Sequence, residues 1–215
     1  MTIENCLGQR YIGCAMKEGR ITINGTPGNA LAAYLDGGVV EVNGNAQDAV
    51  GDTMNGGTVI IHGGAGDALG YAMRGGSIFV RGNAGYRTGI HMKEYKDKKP
   101  AIIIGGRVGS FLGEYLAGGL IIVLNLDSEE PPVGNFTGTG MHGGKIFIRT
   151  DKELAKLPAQ VTAQAASGGG LKDIAPYLRE FGKHFGIDAQ SLLADKFYVL
   201  TPNAKNPYKQ LYTAN

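Results

Sequence analysis

Glycine pairs at Gly37-Gly38, Gly56-Gly57 and Gly75-Gly76 stand nineteen residues apart, each followed at once by an alternating run: "VVEVNG", "TVIIHG", "SIFVRG". A fixed internal period restricts the possible folds more than any local propensity does. Carried outward, the register recovers "RITING" from Arg20, "AIIIGG" from Ala101, "LIIVLN" from Leu120 and "KIFIRT" from Lys145, which makes seven units. Two steps are longer than nineteen, where "KEYKDKKP" and "LDSEEPPVG" intervene. Their charge and proline mark both as loops pushed out from a regular body.

Within each unit the same positions are apolar: Ile21 and Ile23, Val40 and Val42, Val59 and Ile61, Ile78 and Val80, Ile102 and Ile104, Ile121 and Val123, Ile146 and Ile148. With period two these share one face of a strand. A second column, ahead of the glycines, holds Met16, Leu35, Met54, Met73, Met92, Leu116 and Met141. Nineteen residues are too few for a strand plus a covering helix, since a βαβ unit takes about 30. One winding of a parallel β-solenoid fits, and it stacks like residues on like as internal ladders about 4.8 Å apart. Such a winding turns sharply several times, and corners with positive φ are open mainly to glycine. The column Gly13, Gly51, Gly70, Gly89, Gly113 and Gly138, with Ala32 as its exception, predicts corners or tight internal contacts.

The outward residue of each strand is polar in the first two units, Thr22 and Glu41, and apolar afterwards: Ile60, Phe79, Ile103, Ile122 and Phe147. An apolar stripe of this length needs a cover, from the chain's own tail or from a partner subunit. Composition changes near residue 150, because 31 of the 36 glycines precede it. This divides the chain into a repeat domain, 1–150, and a tail, 151–215, packing on the repeat or on a partner. In the tail "DKELAKL" predicts a short helix, "GLKDIAPYLREFGKHFG" an amphipathic helix, "AQSLLADKF" a further turn and "FYVLTP" an extended segment.

Chemistry-bearing motifs are sparse. Gly138-Thr139-Gly140-Met141-His142-Gly143 matches G-x-G-x-x-G, but a strand follows it where a dinucleotide site needs a helix. "GGAGD" resembles calcium-binding β-rolls, yet its column reads Asn29, Asp48, Asp67, Tyr86, Ser110, Asn135 and lacks stacked carboxylates. His62, His91, His142 and His184 occupy different repeat positions, so spacing assembles no metal site. Cys6 and Cys14 are the only cysteines and read as reduced thiols. A net charge of +2 leaves no electrostatic footprint for nucleic acid. No apolar run approaches a membrane span, and the expected location is cytoplasmic.

Taken together, the glycine repeats, "GSFLGEYLAGGLIIVLNL", "GTGMHGGKIFIRT" and the terminal "FYVLTP…PYKQLY" resemble the GXGXG domain at the C-terminus of the glutamate synthase large subunit, and resemble the glycine-rich repeats of formylmethanofuran dehydrogenases. The resemblance implies a single-stranded, right-handed parallel β-helix of about seven coils of 19 residues with a C-terminal helical appendage. It implies a structural subunit that scaffolds a glutaminase-type amidotransferase subunit and an FMN-binding synthase subunit for glutamate synthesis from glutamine and 2-oxoglutarate. No cofactor or catalytic residue is expected on this chain: the FMN and an iron–sulfur cluster would sit on the partners, and Thr2 follows Met1 where the family's glutaminase carries a cysteine nucleophile.

Two other readings stay open. One is a subunit of a formylmethanofuran dehydrogenase-type complex. The other is a polysaccharide-cleaving enzyme acting through a strand face, for which the candidates are Glu41, Arg20, Arg81, Arg107 and Arg149. A homo-oligomer is compatible with every one of these readings.

Overall fold

The computed structural model describes residues 1–154 and 156–203. The seven repeat units supply seven parallel strands: β2 (Arg20–Thr26), β3 (Val39–Asn43), β4 (Asn55–Ile61), β5 (Gly75–Val80), β6 (Ala101–Ile104), β7 (Ala117–Val123) and β8 (Gly143–Arg149). Each winding lies in register on the next, so that Ile21 pairs with Val40, Val40 with Val59, Val59 with Ile78, Ile78 with Ile102, Ile102 with Ile121, and Ile121 with Ile146. A second ladder of single bridges runs through Ala46, Ala65, Ala84, Val108 and Val133 on another wall of the coil. The fold is a parallel β-solenoid with a small helical part near its C-terminus.

All fourteen inward strand residues are buried, and Leu35, Met54, Met73, Met92, Leu116 and Met141 are buried among them. Met16, in the first winding, is only half-buried against that core. Long unbranched side chains suit this column because a methionine fills irregular space between successive windings without fixing its own rotamer.

Corners are where expectation and structure part. Glycines 13, 51, 70, 89, 113 and 138 do take positive φ, but so do the residues two before and two after them, which are mostly not glycine. In the corner at Gly89, Arg87, Gly89 and His91 have φ of 56, 70 and 56°; in the next, Phe111, Gly113 and Tyr115 have 63, 62 and 53°. The left-handed strain, on the order of 1 kcal/mol for a residue with a Cβ, is offset because these N–H groups bond between windings. Arg87 donates to Ser110 O and His91 to Glu114 O on the following winding, while Gly89 donates back to Leu69 O. Within these corners it is the middle position that the next winding crowds. A Cβ on Gly70 would stand 2.4 Å from Ile102 Cδ1.

Two strands were not legible in the repeat. An N-terminal strand, β1 (Thr2–Leu7), pairs parallel with β2 and adds a degenerate winding with a register break between Ile3 and Cys6. At the other end β9 (Val161–Ala166) pairs antiparallel with β10 (Phe197–Pro202), which itself runs antiparallel to β8. The tail's strands are therefore bonded into the same ten-stranded sheet, in the order β1 to β8, then β10, then β9.

Between β9 and β10 lie a 3-10 turn (Gly168–Leu171), α1 (Ala175–Phe185) and α2 (Ala189–Ala194). Pro176 falls at the start of α1, where its missing N–H has no helical partner to lose. Asp188 caps α2 by accepting from the Gln190 and Ser191 N–H groups. The helix expected over "DKELAKL" is not formed by the described residues there. Pro158 disfavours helical backbone in the residue before it, and Leu154 and Leu157 instead pack on the end of the solenoid core.

Candidate partner-binding surfaces

The tail lies on the outward apolar stripe. Phe79, Ile103, Ile122 and Phe147 form one cluster with Leu171, Ile174, Leu178, Phe181, Leu192 and Phe197. Burying each such side chain is worth roughly 1.5–3 kcal/mol. Two ion pairs anchor the cover to β8: Lys145 Nζ to Asp173 Oδ2 and Arg149 Nε to Asp195 Oδ2, both 2.6 Å. The Lys145 ammonium, through its hydrogen bond and its charge, holds the Asp173 carboxyl below its usual range. Arg149 also donates to Leu124 O, tying the sixth winding to the same anchor.

Ile60 is buried too, but it lies at the edge of the cover, beside a groove of about 480 Å³ between α1 and the early strands. Here the fold brings together residues from distant parts of the sequence. Glu41 accepts from Arg20 at 2.7 Å and lies 3.0 Å from His62 Nε2, while His184 of α1 sits close enough to feel Glu41, Arg20, His62 and Glu180. Burial against the aromatic rings pushes the His184 pKa down; its ring stands 5.0 Å from that of Phe79. Repeat spacing could not find this grouping, because His184 belongs to the tail. Among the described residues no group of three His, Cys, Asp or Glu side chains could hold a metal ion.

The strand-face candidates for polysaccharide cleavage are dispersed. Each arginine has its own acid: Arg20 with Glu41, Arg81 with Asp127, Arg107 with Glu130, Arg149 with Asp195. The column containing Asp48 and Asp67 is used structurally. Asp48 Oδ1 accepts from the Asp67 N–H at 2.9 Å, Asp67 Oδ1 from the Tyr86 N–H at 2.8 Å, and Ser110 Oγ from the Asn135 N–H at 3.0 Å. These side chains hold successive windings together.

A surface that strand periodicity did not reveal lies on the left-handed corners. Phe111 and Phe136, one winding apart in the same column, stack at 5.0 Å, and the Arg87 guanidinium sits 4.7 Å over Phe111. Beside them Tyr71, His91 and Tyr115 form a second series, with centroids 5.9 and 5.1 Å apart. Phe136 is 57% exposed, Tyr86 53% and Tyr71 40%. The signal was present in the sequence: carrying the column alignment past the strand and into the corner places Arg87, Phe111 and Phe136 in one file.

The structure thus defines a rigid β-solenoid whose chemistry lies in its surfaces: one apolar face closed by its own tail, and an aromatic corner face left exposed. The model of the GXGXG motif family matches residues 1–203, and the chain belongs to that family. It is 45% identical to the uncharacterized protein MJ1350 of Methanocaldococcus jannaschii over 99% of this chain and 85% of that one. In three dimensions it is similar to a chain of the formyltransferase/hydrolase complex (FhcABCD) of Methylorubrum extorquens, solved with methylofuran, at a TM-score of 0.69 and 22% identity. That match covers 92% of this chain and 71% of the other, and at this identity it speaks for the fold. The Tyr-Lys end of the resemblance, Tyr208-Lys209, lies outside the described residues. Among the described residues no helix is long and apolar enough to cross a membrane.

Proposed function

We propose that this chain is a structural subunit of a split glutamate synthase, holding a glutaminase-type subunit and an FMN-binding synthase subunit in fixed geometry. The observation that carries the reading is the exposed aromatic corner face. After the tail has covered the strand face, the solenoid still presents Phe136, Phe111, Tyr71 and Tyr86 with Arg87 among them. Aromatics and arginine are the residue types enriched at the energetic centres of protein interfaces. A stack of in-register windings is also stiff along its axis, since each winding packs on both neighbours, and this suits a spacer between two active sites.

The test is affinity purification of the tagged full chain from native extract. The expected result is co-elution of a glutaminase-like and a flavin-binding polypeptide, lost in Phe111→Ser/Phe136→Ser at unchanged thermal stability. Elution alone from the extract overturns the reading. The likeness to a chain of a formyltransferase/hydrolase complex supports a second reading, the repeat-bearing component of a formylmethanofuran dehydrogenase-type oxidoreductase complex. A molybdenum or tungsten pterin protein in the same eluate would decide for it.

A further inference from the structure

The two ends of the ten-stranded sheet are built differently. β1, at the N-terminal edge, carries Glu4 and breaks its register between Ile3 and Cys6, where Asn5 takes a left-handed φ of 53°. A charge and a bulge are the usual devices by which an edge strand is kept from pairing with another chain. β9, at the opposite edge, has neither. Its sequence, VTAQAA, contains no charge and no proline, and all six of its residues pair with β10 without a register shift. Ala163, Gln164 and Ala165 are exposed. Beyond the pairing with β10, no described residue hydrogen-bonds to the backbone of Thr162–Ala166.

From this asymmetry we infer that β9 is a dimerisation edge, on which a second copy of this chain pairs its own β9 antiparallel across a two-fold axis. The occupant is a second copy because β9 suits its own image. In an antiparallel pair, directly opposed residues share a face of the sheet. Thr162, Gln164 and Ala166 share one face, opposite Thr201, Val199 and Phe197 of β10; Ala163 and Ala165 share the other. A two-fold axis at Gln164 sets Gln164 against Gln164, Ala163 against Ala165 and Thr162 against Ala166. No like charges meet, no bulky side chains collide, and the two facing amides can hydrogen-bond to each other.

The two ten-stranded sheets then become one. The guarded β1 gives this arrangement its closure. Pairing β1 of one molecule on β9 of the next would be heterologous and would propagate into a filament. Glu4 and the bulge at Asn5 oppose that pairing, so the open edge is used once, and isologously. The inference does not depend on which complex the chain serves.

The experiment is sedimentation equilibrium on the purified full chain, 22.6 kDa, with hydrogen exchange of the β9 amides. The wild type is expected to sediment at twice the chain mass and to protect amides of Thr162–Ala166. Gln164→Lys and Gln164→Glu each place like charges across the axis. Each should shift the equilibrium to monomer and expose those amides while keeping the wild-type circular dichroism, because Gln164 is exposed. An equimolar mixture of the two variants pairs opposite charges and should restore the dimer.

A monomeric wild type at on the order of 100 μM, a concentration that would half-populate even a pair held by only about 5.5 kcal/mol, overturns the inference. A dimer indifferent to both Gln164 variants overturns it as well, as does an open series of larger oligomers. Protected β9 amides in a monomer would give the edge to the chain's own residues 204–215 and equally overturn it.

Discussion

Gly70→Ala tests the reasoning about the solenoid interior most directly. Gly70 has φ +67°, and a Cβ there would lie 2.4 Å from Ile102 Cδ1 and 3.4 Å from Ile102 Cγ1 of the next winding, with Met73 Sδ at 3.7 Å. Ile102 and Met73 are fully buried, so the δ-methyl has no open space to enter. Left-handed alanine costs about 1 kcal/mol and overpacking about 1–3 kcal/mol, partly offset by about 0.4–1 kcal/mol from the stiffer unfolded chain, for a net loss of about 1–3.5 kcal/mol.

Ile102→Val removes the clashing carbon and alone costs about 1 kcal/mol. If the clash is the cause, the double variant is more stable than Gly70→Ala alone, with a favourable coupling of about 1–2 kcal/mol. The protein carries its own precedent. Ala32 occupies the glycine column at φ 56°, and the column's spacing sets Val59 opposite it where Gly51, Gly70, Gly89 and Gly113 face isoleucines. Where valine faces glycine, at Gly13 and Gly138, the same gap is 2.9 Å. Urea unfolding followed by far-UV circular dichroism measures all four proteins. Additive losses, or wild-type stability in Gly70→Ala, refute the placement of Gly70 over Ile102.

Met73→Asp puts an unpaired carboxylate among fully buried side chains; a loss of several kcal/mol is expected, and a wild-type melting temperature would contradict it. Asp67→Ala removes the acceptor of the Tyr86 N–H and should cost about 1–3 kcal/mol by chemical denaturation, with Asp67→Asn retaining most of it. His184 has its pKa lowered, chiefly by burial. Because the unfolded histidine binds its proton first, the cover is fully stable above pH about 6.5 and loosens as pH falls through the lower folded value. A smaller protection factor for the α1 amides at pH 5 than at pH 7.5, each taken relative to the base-catalysed intrinsic rate at its own pH, is the expected outcome, with the difference abolished in His184→Phe. Asp173, lowered by Lys145, acts in a more acid window: its contribution is complete above pH about 4 and is lost as pH falls below that. Lys145→Met should remove this acid-side slope.

The nineteen-residue period contained the parallel ladder, because in-register stacking makes every winding pose the same packing problem to the same sub-positions. Ile102 between Ile78 and Ile121, and Met73 inside rather than outside, follow from that repetition. So does the need for a cover over Phe79, Ile103, Ile122 and Phe147, since their apolarity is local information. Much else depended on contacts between residues far apart in the chain. β1 and β9 lack the repeat signature: β1 becomes a strand on the open edge of β2, and β9 on the edge of β10, which has itself taken the open edge of β8.

The packing of His184 on Phe79, and the stacking of Phe111 on Phe136, arise from the docking of a helix and the angle of a corner. Non-glycine residues at left-handed corners escaped the sequence for a related reason. Their strain is relieved by hydrogen bonds to neighbouring windings, and those bonds exist only once the windings are stacked. Repetition along the chain therefore determined the body of this protein, whereas the three-dimensional stack decided its ends, its cover and its exposed aromatic face.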